Sequence, residues 1–366
     1  MEHNDLTDRY QRQILLKEFG IAGQLKLSQA SVLVVGAGGL GCPALLYLAG
    51  AGIGKIGIVD DGLVEMSNLH RQVLYGTQDV GKKKVACAKE VLQKMNDKIE
   101  VEVFATRMTA LNAFEIIDAY DIIIDGTDNF QSRYMINDAC AILNRPLIYG
   151  AISRYEGQVT VFAEGINYRD IFPSPPQEGE VLNCSEAGVL NILPGIIGNF
   201  LANECIKLIA GIGEPLIGKL LTYNALNNLI YIIEIGAAEQ RVQARPMSRA
   251  SFEKVDYPSL CGIKTSYVQE ISIEQLKSLY SNEVDVIDVR EAFELPEISR
   301  FSHIRIPLSV FDKQTSAIKK DTVVFVCQSG KRSLLAAQRY RELISPQSKA
   351  IFSLKGGVAA LEASII

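Results

Sequence analysis

The sequence predicts two α/β units: a large one on a mostly parallel sheet with helices on both faces, and a small one near the C-terminus. Three observations predict it. "SVLVVGAGGLGCPALLYLAGAGIGKIGIVDDG" passes from an apolar run through a glycine-rich turn to helical spacing and back, the pattern of a βαβ unit. Further short apolar runs alternate with helix-period segments, which implies parallel strands joined by crossover helices. After residues 242–268, where hydrophobic periodicity lapses, "EVDVIDVREAFEL" and "DTVVFVCQSGKRS" repeat a strand-then-turn pattern.

Taken in order, residues 5–28 read as an amphipathic helical segment leading into the first strand. Strands are expected at 101–104, 121–125 and 146–151, with helices near 82–95, 112–119 and 130–143. "EGQVTVFAEG" alternates apolar and polar residues and suits an antiparallel addition to the sheet. Residues 167–187, with "FPSPPQEGE", are too rich in Pro and Gly for a regular element. "GVLNILPGIIGNFLANECIKLIAG" reads as a buried helix interrupted near Pro194. The expected organisation is a first domain over 1–245, a linker over 246–268 and a second domain over 269–366.

Composition narrows the function. Among 366 residues, 48% are hydrophobic and 22% charged, as in a well-packed globular protein. A net charge of −5 leaves no dominant basic face, which argues against nucleic acid as a partner. No apolar run is expected to span a membrane, and "MEHNDLTDRYQRQ" is too polar for a signal peptide. Seven cysteines (42, 87, 140, 184, 205, 261, 327) form no CxxC pair, a pattern of reducing compartments that makes the cytoplasm the expected location.

"GAGGLG", with Gly36, Gly38, Gly39 and Gly41, lies between a strand and a helix. Such a Rossmann-like loop lets backbone N–H groups approach phosphate, and Asp60 stands where an acidic side chain accepts ribose hydroxyls. Alone it reads as a dinucleotide site, so a NAD- or FAD-dependent oxidoreductase stays open. The residues beyond Asp60 favour another chemistry. "SNLHRQVLYGTQDVGKKKV" supplies Asn68, Arg71 and Lys84, and "DGTDN" places Asp125, Asp128 and Asn129 at the end of another strand. A dinucleotide's pyrophosphate carries about two negative charges. A triphosphate carries about four, and attack on its α-phosphate calls for a divalent cation and several positive groups. There is no Walker-type G-x-x-x-x-G-K-[ST]. Arg71 and Lys84 read equally as solvated charges, and Asp125 as a strand-end cap.

"RYQRQILL", "GAGGLGCPALLYLAGAG", "SNLHRQ", "GKKKV", "DGTDN" and "EGQVTVF" together closely resemble the MoeB/ThiF/HesA adenylyltransferases, relatives of the ubiquitin-activating enzymes, over about residues 5–235. The resemblance implies adenylation, by ATP, of the C-terminal glycine of a ubiquitin-like sulfur carrier protein with a Gly-Gly tail. It puts Gly39 at the phosphates, Asp60 on the ribose, and Ser67, Asn68, Leu69, His70, Arg71 and Lys84 along the ATP site. Asp128 then binds Mg²⁺, with Asn129 on the nucleotide. Arg12 matches an arginine inserted into the neighbouring subunit's site, which implies a homodimer.

The chain departs from that family in two places. Family members commonly bind a structural zinc through two CxxC pairs. Here Asn167 and Asp170 stand in the first pair's place and Cys261 alone in the second's, so no zinc is expected and the loop around 165–187 is expected to be packed or mobile. Cys184, in "NCSEAGVL", matches a cysteine that can link covalently to the carrier; it reads otherwise as an accessory thiol.

Cys327 comes after the run "TVVFV" and precedes a helix expected from about Ser333, with Gln328 to Lys331 and then Arg332 between. A curled backbone, a helix N-terminus and a guanidinium favour a thiolate and bind anions. Phosphatases place five residues between Cys and Arg. The four here suit a smaller guest, a sulfane sulfur. With "VIDVREAFE" this resembles rhodanese domains over about 269–366; Asp288 and Arg290 look like that family's structural ion pair, and 295–305 matches in shortened form.

The combined expectation is an adenylyltransferase with sulfurtransferase activity. A Cys327 persulfide, charged by a donor such as a cysteine desulfurase, attacks the activated carrier to give a thiocarboxylate, with Cys184 resolving the intermediate. A molybdopterin-type carrier is favoured, with thiamine-type, tRNA-thiolation and cysteine-synthesis carriers open. A non-catalytic scaffold remains the alternative of another class.

Overall fold

β-branched apolar runs bounded by Gly and Asp form the strands of an eight-stranded sheet. The structure, a computed structural model, describes residues 3–176, 188–235, 245–261, 268–280, 283–344 and 349–363. It divides into two compact units, 1–263 and 264–366.

In the first unit, strands β1 (Ser31–Val35), β2 (Lys55–Val59), β3 (Glu100–Phe104), β4 (Ile122–Asp125), β5 (Leu147–Ser153), β6 (Glu156–Phe162), β7 (Lys219–Asn224) and β8 (Leu229–Glu234) lie in the order β3-β2-β1-β4-β5-β6-β7-β8. β1 to β5 are parallel, and β6, β7 and β8 add antiparallel, β6 as its alternation predicts. Alternation along β1 sorts the two faces. Val32 and Val34 join a core with helices Gly41–Ala51, Lys84–Met95 and Ile192–Ala210, while Leu33 and Val35 join another with helices Ala113–Asp118 and Phe130–Leu143. Each such fully buried side chain contributes about 1.5–3 kcal/mol.

Four expectations change. The 5–28 segment is two helices, His3–Ile14 and Gly20–Gln29, parted by a turn over 15–19, and Gly20, whose φ is +56°, opens the second. Pro194 does not interrupt its helix: it sits in the first turn of Ile192–Ala210, where no intrahelical N–H partner is lost. That helix is also long and apolar enough to cross a membrane by length and composition. In the fold it packs against helix Gly41–Ala51 and against β5 and β6. Finally, part of the expected linker is built into the first unit. Helices Arg249–Phe252 and Tyr257–Leu260 bury Phe252 and Tyr257 in the second core, too few apolar positions to show a period.

The second unit is a five-stranded parallel sheet, β11-β10-β12-β13-β9, from β9 (Gln269–Ile271), β10 (Val284–Asp288), β11 (Ile304–Arg305), β12 (Thr322–Val326) and β13 (Ala350–Leu354). Val323 and Phe325 face one core, Val324 and Val326 the other. Helix Lys331–Leu343 starts two residues earlier than expected, directly after Gly330, whose φ is +90°.

Candidate active sites

In the first unit the strand order reverses between β2 and β4, on either side of β1, so a crevice opens at the C-terminal ends of these strands. The glycine loop fills it. Gly36 has φ +96°, and a Cβ there would lie 2.8 Å from the Gly126 carbonyl oxygen. A Cβ on Gly41 would collide with the Gly36 carbonyl, whereas one on Gly38 would meet only Gln72 Nε2 at 3.9 Å. The loop is thus pressed onto the β4 turn on one side and open on the other, room that a phosphate can use. Tyr75 supports it from beneath, its hydroxyl donating to the Ala37 carbonyl at 2.8 Å.

Asp60 directly follows β2 and accepts from Ala37 N–H at 2.9 Å and Gly62 N–H at 2.7 Å. Both bonds fix the carboxylate against the loop and leave a second lone pair on each oxygen. Lys84 opens its helix beside the same turn: its N–H donates to the Gly62 carbonyl, and its ammonium would lie 3.5 Å from a Gly62 Cβ. Arg71 reaches the other flank, its Cγ 3.8 Å from a Cβ built on Gly39, while its Nη1 donates to the Ser67 carbonyl at 2.9 Å. Ser67 and His70 are exposed here.

Other motif members have structural roles. Asn68 is buried and accepts from Glu65 N–H within its own turn, and Leu69 packs against the core. Asn129 spends its side-chain oxygen capping helix Phe130–Leu143 through Ser132 N–H at 3.0 Å. Asp125 is the strand-end cap, bonded to Thr127 N–H and hydroxyl; burial pushes its carboxyl above the ordinary carboxylate range, with Arg133 pulling the other way. Its other oxygen is buried with no partner among the described residues. Asp128 is exposed on the rim of a cavity of about 350 Å³ that Arg133, Tyr149, Tyr168 and Glu156 also line. Arg133 and Tyr75 are not apparent from sequence, because neither belongs to a spacing pattern.

Arg12 is not brought to this loop within the chain. Its helix is docked by Arg9 on the Met95 carbonyl and Gln13 on the Ala51 carbonyl, at the far ends of helices that begin at the site. Helix Gly41–Ala51 has 11 residues, a separation of about 16 Å. Arg12 itself is exposed and makes no hydrogen bond or ion pair among the described residues.

The zinc donor set does not fit. Asn167 and Asp170 cap helix Tyr168–Ile171 reciprocally, Asp170 accepting from Asn167 N–H at 2.8 Å. Cys261 packs at the edge of the apolar core, where burial pushes its thiol up to about 11. Instead a buried ion pair joins the segments: Arg169 Nε and Nη2 donate to the two Asp138 oxygens, each at 2.8 Å, and the Tyr257 hydroxyl donates to Asp138 at 3.0 Å. Among the described residues no group of three or more His, Cys, Asp or Glu could hold a metal. Cys184 and residues 177–187 lie outside the described residues.

In the second unit Cys327 sits just past β12 and is fully buried. Its Sγ accepts from Gly330 N–H at 3.2 Å and lies 3.4 Å from the Ser333 hydroxyl, which donates to the Gly330 carbonyl. The cradle is clamped from behind. Val358 and Ala359 N–H donate to the Cys327 and Gln328 carbonyls, a contact so close that a Cβ on Gly357 would collide with the Cys327 oxygen. Arg290, fully buried, donates to both Asp288 oxygens and also to Gln328 Oε1 at 3.3 Å, so the structural pair reaches the cradle. Arg332 does not bond the sulfur. Both its Nη atoms donate to the Glu294 carboxylate at 2.6 Å, and that guanidinium holds the Glu294 carboxyl below the usual carboxylate range.

A nucleotide-type crevice in one unit and a thiol cradle in the other define a two-unit protein of the adenylating and sulfur-transferring class. Residues 10–244 match the model of the ThiF family and residues 272–364 that of the rhodanese-like domain. The chain belongs to the ThiF family and carries a C-terminal rhodanese-like domain, as the sequence motifs imply. It is 38% identical to the probable adenylyltransferase/sulfurtransferase MoeZ of Mycobacterium tuberculosis, covering 96% of this chain and 92% of that one. Against the adenylyltransferase and sulfurtransferase MOCS3 of Aedes aegypti the identity is 37%, over 95% and 84%. The sulfur carrier protein adenylyltransferase of Thermus thermophilus is 45% identical over 70% of this chain and 97% of its own. Among solved structures, E. coli MccB with MccA-N7isoASN superposes with a TM-score of 0.58 at 25% identity, over 63% of this chain and 73% of that one.

Proposed function

We propose that the chain uses ATP to adenylate the C-terminal glycine of a ubiquitin-like sulfur carrier and then delivers sulfur from Cys327 to form a thiocarboxylate. The observation that carries this is the pairing, on one chain, of the Asp60–Lys84 glycine-loop crevice with the four-residue cradle around Cys327. The names of the relatives support it. The carrier carboxylate attacks the α-phosphate and pyrophosphate leaves, giving an acyl-adenylate. Arg71 and Lys84 offset the triphosphate's charge, and Asp60 takes the ribose. Mg²⁺, for which Asp128 is the candidate ligand, would neutralise phosphate charge when bound. The terminal sulfur of a Cys327 persulfide then attacks the acyl carbon and AMP leaves. A thiol, for which Cys184 is the candidate, attacks Cys327 Sγ; the thiocarboxylate departs, and the resulting disulfide is reduced by an external dithiol.

Carrier-dependent ATP–pyrophosphate exchange tests the first half. Lys84→Ala and Arg71→Ala should each lower it by about 10²-fold or more, and absence of exchange with every Gly-Gly carrier would overturn the reading. Cys327→Ala should leave exchange intact and abolish thiocarboxylate formation. We favour a molybdopterin-type carrier; a parallel assay with thiamine-type and tRNA-thiolation carriers identifies the preferred one.

A further inference from the structure

We propose that Glu294 is a positioning residue that selects the sulfur donor: by holding Arg332 in a bidentate ion pair it cancels the guanidinium beside the Cys327 cradle, disfavouring small dianions such as thiosulfate and leaving alkyl hydropersulfides, R–S–SH, as the donor class. This rests on the reading of Cys327 as the sulfur-carrying thiol.

The pair is built rather than incidental. Glu294 is itself anchored, its Oε1 accepting from Glu291 N–H at 2.9 Å, and both of its oxygens meet Arg332 at 2.6 Å. Each arginine described around the cradle is matched in the same way. Arg290 is committed to Asp288, the Pro296 carbonyl and Gln328, and Arg305 Nη2 lies 3.4 Å from Asp288. Glu291 adds a further carboxylate. Beside Glu294 in the chain stand Phe293 and Leu295, 83% and 76% exposed, both apolar. An anion cradle serving thiosulfate would leave a guanidinium free for the sulfonate. This one presents the Gly330 N–H to the sulfur and, among the described residues, no unpaired guanidinium.

The two donors react by balanced steps. With thiosulfate, the Cys327 thiolate attacks the outer sulfur, the S–S bond breaks, and sulfite leaves with the electron pair. With an alkyl hydropersulfide, the thiolate attacks the terminal sulfur and R–S⁻ leaves, the proton remaining on the new Cys327 persulfide. Only the first brings two negative charges to the cradle, so only the first responds strongly to an uncompensated Arg332.

The test uses the full chain with thiosulfate or cysteine persulfide as donor, cyanide as acceptor, and intact-protein mass to follow sulfur on Cys327. Glu294→Gln should raise kcat/KM for thiosulfate about tenfold, carried in KM, and leave cysteine persulfide within about threefold. Glu294→Asp should behave as the parent. Should Glu294→Gln fail to fold by thermal melting, Glu294→Ala carries the same expectation. If cysteine persulfide charges Cys327 and Glu294→Gln changes neither donor, or both alike, Glu294 does not select and the inference is overturned while the role of Cys327 stands. If neither donor adds a sulfur to Cys327 in the parent, that role and the inference fall together.

Discussion

Two buried ion pairs among the described residues, Asp138–Arg169 in the first unit and Asp288–Arg290 in the second, make sharp predictions. Arg290 is fully buried with Asp288, and removing one partner leaves the other ionised in an apolar surround. Arg290→Ala should therefore cost about 3–5 kcal/mol in the second unit's denaturant unfolding, while carrier-dependent exchange by the first persists. Glu294 adds a pH signature. Its carboxyl is held low in the fold, so its stabilisation is fully present above the unfolded carboxylate value of about 4.3 and fades as pH falls through the folded value. The melting-temperature gap between the parent and Glu294→Gln should be largest near neutrality and close below about pH 4; a gap independent of pH would rule out the charged pair as its cause. Asp60, Arg71 and Lys84 are legible in the sequence because each stands a short, fixed distance from its strand or glycine within an ordered motif. Glu294 is not, since it meets Arg332 across 38 residues and belongs to no spacing. The Asp138–Arg169–Tyr257 network spans 31 and 119 residues and is equally hidden.

At the level of elements, the glycine loop depends on a helix crossing. Helix Ile192–Ala210 passes so near the start of helix Gly41–Ala51 that a Cβ on Gly198 would collide with the Leu40 carbonyl and Pro43. Gly198→Leu should destabilise the first unit by about 1–3 kcal/mol. It should also weaken ATP binding, measured calorimetrically, because the displaced helix N-terminus carries the loop. The same helix shows the limit of hydropathy: a long apolar run reads alike in a membrane and in a globular core, and only its packing on β5 and β6 assigns it here. Short helices around Phe252 and Tyr257 escape sequence reading for the opposite reason, since four residues show no period. The lack of a zinc donor set among the described residues makes a further prediction at this scale. Strong chelators should leave the melting temperature unchanged, whereas Asp138→Asn, which unpairs buried Arg169, should lower stability by about 3–5 kcal/mol.

For the whole molecule, the position of the N-terminal helix matters most. Arg12 lies at the far end of helix Gly41–Ala51 from the loop, exposed and unbonded among the described residues, so a role in adenylation would have to be played in another copy. Mixing inactive Arg12→Ala and Lys84→Ala chains should then restore about a quarter of parental exchange, because half the dimers are mixed and each holds one intact site. No recovery would separate Arg12 from the reaction.

The sequence by itself determined the order of the two units, the mostly parallel sheet of the first, the glycine loop with Asp60, and the cradle around Cys327. All of these rest on neighbours in the chain, on periodicity, and on glycines that only a few backbone shapes require. Tertiary structure decided which motif side chains remain available for chemistry. Asn68, Leu69 and Asn129 are spent on turn, core and cap, Arg332 is bound to Glu294, and Asn167 and Asp170 cap a helix beside the Asp138–Arg169 ion pair. The physical reason is that a side chain's availability is set by whichever partner the fold brings within hydrogen-bond reach, and those partners lie tens of residues away.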